Sequence, residues 1–329
     1  MNIRHYISFF IKNVIKMLTL LIGVSIAAFM LVSLSPIDPV QANVGATAYM
    51  RMTPEKRAQM ESYWGKDVPP AERYLNWAKD FVRGDMGTSL KYNRPVAEVV
   101  AEKFGNSFAL MCVAWVLSGI LGLVLGIVAG YFKDRLPDRL IRGYALLLAS
   151  TPAFWIGLLL LMIFAVWLAF GMNLPAGMTA AEAGIGVRIR HLLLPALTLG
   201  LTGVANITLH TREKMIAIME SDYVLFARAR GESSGYIVKR HALRNLVLPA
   251  ITLQFGSISE IFGGSVLVEQ VFSYPGLGQA AIDAGLGSDV SLLLAITVIS
   301  TLFVFLGNLV ANVLYGVIDP QIRRGRSHG

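Results

Sequence analysis

Charge is scarce in this chain, and cysteine is almost absent. Only 15% of its 329 residues are charged, against 55% apolar, with a mean hydropathy of +0.58. A soluble domain carries about a quarter charged residues, so this deficit argues against a surface that faces water on all sides. The single cysteine, Cys112, lies inside an apolar run, which excludes an internal disulfide and a cysteine metal cluster. His5, His191, His210, His241 and His328 are scattered without HExxH or paired spacing, so a metal enzyme or intramembrane protease lacks its reactive constellation. A glycine-rich phosphate loop is missing too. The one Gly-Lys pair, Gly65-Lys66, is followed by Asp67 and has no glycine at the required upstream position, so the chain is not itself an ATPase. Neither an internal repeat nor a pair of broken helices in matching halves is visible.

What is present is six long apolar runs, at 17–37, 104–132, 143–170, 192–210, 246–269 and 290–318. A helix needs about 20 such residues to cross roughly 30 Å of hydrocarbon. Among ionisable side chains, only His210, Glu260 and the terminal Glu269 fall inside these runs. The expectation is an all-α membrane protein with six transmembrane helices. The basic N-terminal stretch ahead of the first run imitates a secretory signal, but that run is too long and lacks a small-residue cleavage site; it reads as a retained helix.

A net charge of +8 raises the question of nucleic acid, and the placement of Lys and Arg answers it in favour of lipid. With a cytoplasmic N-terminus, seventeen of the 29 Lys and Arg fall in inner segments, while the two short outer loops hold only Arg188 and Arg190. The other ten lie in the long segment 35–103, which the positive-inside rule discounts. Both termini are therefore expected in the cytoplasm. The chain divides into 1–34, an N-terminal segment with the first span; 35–103, an extracytoplasmic cap; and 104–329, a five-helix core with a polar loop at 211–245. In the cap, Tyr74, Trp77 and Phe81 share one helix face, either packing the cap on the membrane helices or presenting a partner surface. Gly122, Gly126 and Gly130 recur every four residues, which lets two helix backbones approach closely. Thr151-Pro152 predicts a kink in the third span.

The loop 211–245 carries seven inner cations, and its order suggests two short helices divided by Gly231. On composition alone, a basic juxtamembrane loop drawn to anionic lipid fits as well as a docking projection. Its residues narrow the choice. Ala227, Arg228, Ala229, Gly231 and Glu232, followed by His241 to Asn245 and Pro249, resemble the cytoplasmic coupling loop, or EAA loop, of bacterial ABC importer permeases of the dipeptide, oligopeptide and nickel branch. Leu225 stands where the general motif has an acidic residue.

The resemblance extends along the chain through Gly84 to Ser89 with Pro95-Val96, Ser150 to Gly157, His191 to Gly200, Glu269 to Phe272 with Pro275 to Gly278, and Asp319 to Arg323. Phe104-Gly105-Asn106-Ser107 replaces the usual Leu-Pro-x-Thr, and Asn312 stands where the branch often has Asp. This likeness implies a type I ABC importer permease fold in the bacterial inner membrane. It also implies a second homologous permease, two ATPase subunits holding ATP and Mg, and an extracytoplasmic substrate-binding protein, with no cofactor in this chain. The coupling helix would insert into a cleft of the ATPase. Peptides and nickel or metal–chelate complexes share all these motifs. Ser35 to Pro39, where many peptide members have Pro-Gly-Asp-Pro, keeps the metallophore alternative in play.

For the translocation path, the cost of an ionisable group in hydrocarbon singles out Glu260, and His210 with Asn206 one turn before it. Glu260 is either a lining residue or one partner of an interhelical hydrogen bond; His210 either lines the path or serves at the membrane interface. Two other classes remain on the residues alone. A self-powered secondary transporter or channel needs no partner ATPase, whereas a membrane-embedded enzyme needs a reactive pair that Glu260 alone does not make.

Overall fold

The computed structural model describes residues 3–34, 46–56, 58, 68–167 and 184–318. Ser35 to Pro39 and Asp319 to Arg323 lie outside them. The described chain is overwhelmingly helical, with four helices long and apolar enough to span a membrane and two further bent pairs that bring the number to six when each pair counts as one span. The helices divide between two compact units.

The first unit comprises residues 1–107 and 275–305. It holds α1 (Ile3–Ser33), the short α2 (Ala46–Arg51), α3 (Pro70–Val82), a two-stranded antiparallel hairpin of β1 (Thr88–Ser89) and β2 (Arg94–Pro95), and α12 (Leu277–Leu286). Its core gathers Val96, Val99 and Val100 with Leu277, Ala280, Ala284, Leu292, Ala295 and Ile296. The Tyr74, Trp77 and Phe81 face packs inward. Trp77 and Phe81 stack at 5.1 Å, Tyr74 meets Phe29 of α1 at 5.4 Å, and the Tyr74 hydroxyl lies 2.8 Å from Ser25 Oγ. These aromatics tie α3 to α1, as the packing alternative requires.

The hairpin is held by one buried carboxylate. Asp289 is fully buried and accepts hydrogen bonds from Ser89 Oγ at 2.6 Å and the Lys91 amide at 3.1 Å. Its other oxygen accepts from the Leu292 amide at 3.1 Å, satisfying one of the orphan donors at the start of α13 (Val290–Ile318). Nearby, Tyr92 donates to Asp283 at 3.4 Å; burial, then the Asp283 charge, pushes its phenol up to about 12, so it remains a neutral donor at neutral pH. Asn106 and Ser107, where the chain departs from the family's usual Leu-Pro-x-Thr, serve α12. Ser107 Oγ accepts the Leu277 amide at 2.7 Å, and the Asn106 amide donates to the Pro275 carbonyl at 2.9 Å.

The second unit comprises residues 108–274 and 306–329. The 36-residue α4 (Val96–Tyr131) begins in the first unit and supplies most of its length here. After it come α5 (Leu136–Ala149), α6 (Ala153–Leu161), α7 (Ile185–Met219), α8 (Asp222–Ala229), α9 (Ser234–Ile237), α10 (Leu243–Gly256) and α11 (Ile258–Val271). The expected third span is sharply broken: α5 and the continuation of α6 meet at 104°. Pro152 has no amide to continue α5, and Ser150 and Thr151 turn their hydroxyls back onto the Leu146 and Leu147 carbonyls at 2.9 and 2.7 Å. The fifth span bends by 50° near Ser257.

The centre of this unit is the contact between α4 and α7. A Cβ placed on Gly122 would lie 2.7 Å from Ile207 Cβ; on Gly126, 2.8 Å from the Thr208 carbonyl oxygen; on Gly130, 2.8 Å from that of Arg212. The recess is reciprocal, since Gly200 and Gly203 of α7 receive Leu117 and Ser118. Contacts advance together along both helices, so α4 and α7 run parallel. Backbone-to-backbone approach of this kind needs glycine, because lipid supplies no hydrophobic force and packing must.

At one end of this seam Asp138, fully buried, accepts Arg212 Nη2 at 2.7 Å and the Asp134 amide at 2.8 Å. The pair ties α5 to α7. Replacing Gly126 by Leu should drive atoms into Thr211 and the Thr208 carbonyl and destabilise the unit by about 1–3 kcal/mol. It should be read as a lowered melting temperature in detergent, whereas Gly143→Ala, whose Cβ meets nothing within 4 Å, should not lower it. Equal melting of Gly126→Leu and wild type would refute the close seam.

Candidate functional site

The polar stretch between the fourth and fifth apolar runs folds as two short helical arms. α7 does not stop at His210 but continues to Met219, so the first part of 211–245 is an extension of that helix. Ser221 then opens α8, and the chain turns back after Arg230. The turn closes through two bonds: the Gly231 amide donates to Arg228 O at 2.9 Å and the Glu232 amide to Ala227 O at 3.1 Å. These are the 5→2 and 6→1 bonds of a Schellman cap, which places Gly231 at φ +82°, a left-handed conformation that glycine adopts without strain.

Apolar residues spaced along both arms form a small core of their own. Val224, Ala227, Ile237, Ala242 and Leu246 are buried together with Met215 and Ile218 of the α7 extension. The five residues that the sequence marked for coupling thus divide by role. Ala227 is buried and small, letting the arms close on α7; Arg228, Ala229 and Gly231 are exposed. Glu232 bridges the turn, accepting from Arg230 Nη2 at 2.9 Å and lying 3.0 Å from His241 Nε2. It fastens α8 to the following arm. The outer surface carries Tyr223, Leu225, Phe226 and Tyr236, with Phe226 72% exposed.

The intramembrane candidates fall on open faces. Asn206 and His210 are both exposed, one turn apart on α7, and Glu213 and Ala217 continue the stripe. This face lies opposite the buried Val204, Ile207, Thr208 and Thr211 that meet α4. Glu260 is exposed on α11 with Gly263 and Leu267, and its carboxylate has no partner among the described residues. Its neighbour Ser259 is committed elsewhere, donating to Asn308 at 2.8 Å. Among the described residues no three His, Cys, Asp or Glu side chains converge as metal ligands would.

A screen for ionisable groups passes over the polar tie that the structure does contain within its apolar helices. Trp115 Nε1 donates to the Gln254 carbonyl at 2.8 Å; Gln254 is 5% exposed, and its amide donates back to the Trp115 carbonyl and to Ser118 Oγ, the latter at 3.0 Å. This reciprocal clasp joins α4 to α10 just before the bend at Ser257. A neutral Gln amid apolar residues was its only sequence signal.

Residues 122–324 match the family described as binding-protein-dependent transport system inner membrane component. The chain is 32% identical over 319 residues to the oligopeptide transport system permease protein AppB of Bacillus subtilis (strain 168), covering 96% of this chain and 99% of that one. It is 33% identical over 317 residues to the glutathione transport system permease protein GsiC of Escherichia coli (strain K12), with coverage of 96% and 99%. The GsiC protein of Shigella dysenteriae serotype 1 matches to the same degree, 33% over 317 residues. The family match and these likenesses agree: the chain belongs to the binding-protein-dependent transport system inner membrane component family, as a multi-pass permease subunit that contributes to an importer's translocation path.

Proposed function

We propose that this chain crosses the inner membrane six times with both termini in the cytoplasm, and pairs with a second homologous permease to form a path for peptides. An extracytoplasmic binding protein delivers the substrate, and two separate ATPase subunits, holding ATP and Mg, drive the cycle. The observation that carries the coupling part is the projection at 221–245. Its buried face rests on the α7 extension, and its outer face offers Phe226, Leu225 and Tyr236 beside Arg228 and Arg230. A closed cap and a private core make it stiff enough to pass displacement to a membrane helix.

The six-span reading is supported by direction. Parallel α4 and α7 need an odd number of crossings between them, and the bent α5–α6 pair supplies one. Peptide as substrate is supported by relatives named for oligopeptide and for glutathione, itself a tripeptide. Asn206, His210 and Glu260 serve as path residues in this reading, because polar groups on faces left open by the described residues belong against water or a partner rather than lipid. ATP binding then acts as a population shift, since differential contact with the projection favours one arrangement of the permease pair.

Reconstituted with its partners, the protein should take up a short peptide only with ATP and the binding protein, and should carry none alone. Uptake by the isolated chain would instead establish a self-powered transporter. Substitution at the turn separates docking from folding. Gly231→Asn, which tolerates a positive φ, should keep ATPase coupling, whereas Gly231→Trp should abolish it with membrane insertion intact, the strained backbone costing about 1–3 kcal/mol locally. Transport unchanged in Gly231→Trp would remove the coupling role from this loop. Glu260→Gln should change the rate or preference of peptide uptake while the purified complex keeps its subunit stoichiometry; wild-type transport by that variant would take Glu260 out of the path.

A further inference from the structure

Where α4 and α7 end, the second unit forms an open cavity of about 540 Å³ that shares only Arg228 with the coupling reading. Its size lies within the range of small-molecule sites, roughly 300–1,000 Å³. Gly130, Tyr131 and Phe132 from the end of α4 line one side, and Ile216, Met219 and Glu220 from α7 line another. Lys133, Arg135 and Arg228 supply three cations against the single carboxylate of Glu220. Lys133 is committed to Glu220, and this ion pair bridges the α4 turn to the end of α7. The guanidinium groups of Arg135 and Arg228 have no hydrogen-bond or ion-pair partner among the described residues. Ser234, at the start of α9, adds a hydroxyl.

We infer that this cavity holds the phosphate of an anionic phospholipid headgroup at the cytoplasmic face of the membrane. Three features support this, and the first two point to a lipid rather than a soluble anion. The cavity opens where an apolar run of α4 gives way to charge, which is the depth of headgroups in a bilayer. Tyr131 and Phe132 stand at that level in an edge-to-face pair 4.9 Å apart, as aromatic residues do at membrane interfaces. Two unpartnered guanidiniums on different elements can share one phosphate through charge-assisted hydrogen bonds, the geometry that favours Arg for this task. Basic pockets between membrane helices on this side hold such headgroups in general. Because Arg228 sits on the arm read above as the coupling helix, a bound headgroup would brace that arm against the turn after α4. The leaflet rests on the proposed orientation, but the binding itself does not.

The purified protein in phosphatidylcholine–detergent micelles, titrated with phosphatidylglycerol and read by native mass spectrometry, tests this directly and without regard to orientation. Wild type should retain one phosphatidylglycerol in preference to phosphatidylcholine. Arg135→Gln should weaken retention by about fivefold and Lys133→Gln/Arg135→Gln by about 25-fold, at about 1 kcal/mol per cation near a charged headgroup. Arg139→Gln, an exposed neighbour on α5 that does not line the cavity, should leave it unchanged. Equal weakening by Arg139→Gln would show only a diffuse basic surface and overturn the site. Displacement of the lipid by millimolar inorganic phosphate would reassign it to a soluble anion. Stoichiometric loss of the lipid when the partner ATPase is added would make the cavity part of a protein interface instead.

Discussion

Everything in the second unit is set by how closely α4 and α7 approach. In water, two helices are pressed together by the apolar surface they hide; in lipid that term vanishes, and only contact between atoms remains. Glycine at three successive turns of α4, met by Gly200 and Gly203 from the other side, puts a backbone without a Cβ opposite each side chain that enters the seam. The consequence is a shared axis rather than a loose pairing. Because the two helices are parallel, the chain has to return between them, and the break at Pro152 occurs in that return segment. The Asp138–Arg212 pair fastens the return to the end of the same seam. The Asp138 carboxylate is buried but also accepts a hydrogen bond from the Asp134 amide, which is how an ion pair survives removal from water.

With that seam fixed, polar groups inside the apolar helices divide into those that are spent and those that are open. Trp115 and Gln254 spend theirs on each other's carbonyls, bridging α4 to α10 beside the bend at Ser257. Asn206, His210 and Glu260 lie on faces that the described chain leaves uncovered. An unpaired carboxylate facing lipid is costly by several kcal/mol. The exposed position of Glu260 is therefore an argument about what lies against it, water or another polypeptide. The second permease of the proposed assembly would supply both.

Much of this was legible in residue order. The four-residue glycine period announced a backbone contact, and its partner helix could not be named because the period of one helix carries no information about which neighbour fits it. Pro152 announced a kink; the angle of 104°, and the Ser150 and Thr151 hydroxyls bonded to α5 carbonyls beside it, are not decided by spacing. The two arms around Gly231 were visible from residue order, while the Glu232 bridge to His241 needed the fold to bring residues nine apart together. Asn106 and Ser107 looked like departures from a motif and turned out to serve the start of α12, 169 or more residues away. Long-range polar pairing is what a single sequence hides best. Neither Asp289 nor its partner Ser89 shows any local sign of the other.

The length and continuity of α7 bear on how coupling can work at all. Its 35 residues make a rod of about 52 Å, unbroken even at Pro195, with the glycine seam along its middle and Met215 and Ile218 in the core of the projection near its end. A packed seam without room for a methyl group does not slide, and a continuous helix does not fold back on itself. In the proposed coupling, displacement of the projection would therefore pass to α4 and α7 as one body, and the places that can yield are the broken ones, at Ser150–Pro152 and at Ser257. Asn206 and His210 ride on the rod's open face, opposite the side on which Met215 and Ile218 meet the projection. The Trp115–Gln254 clasp meets the rod's partner just before the second yielding point. In that reading, rigidity at the seam and compliance at the two breaks are complementary: without the first, motion at the projecting arms would dissipate, and without the second it would have nowhere to go.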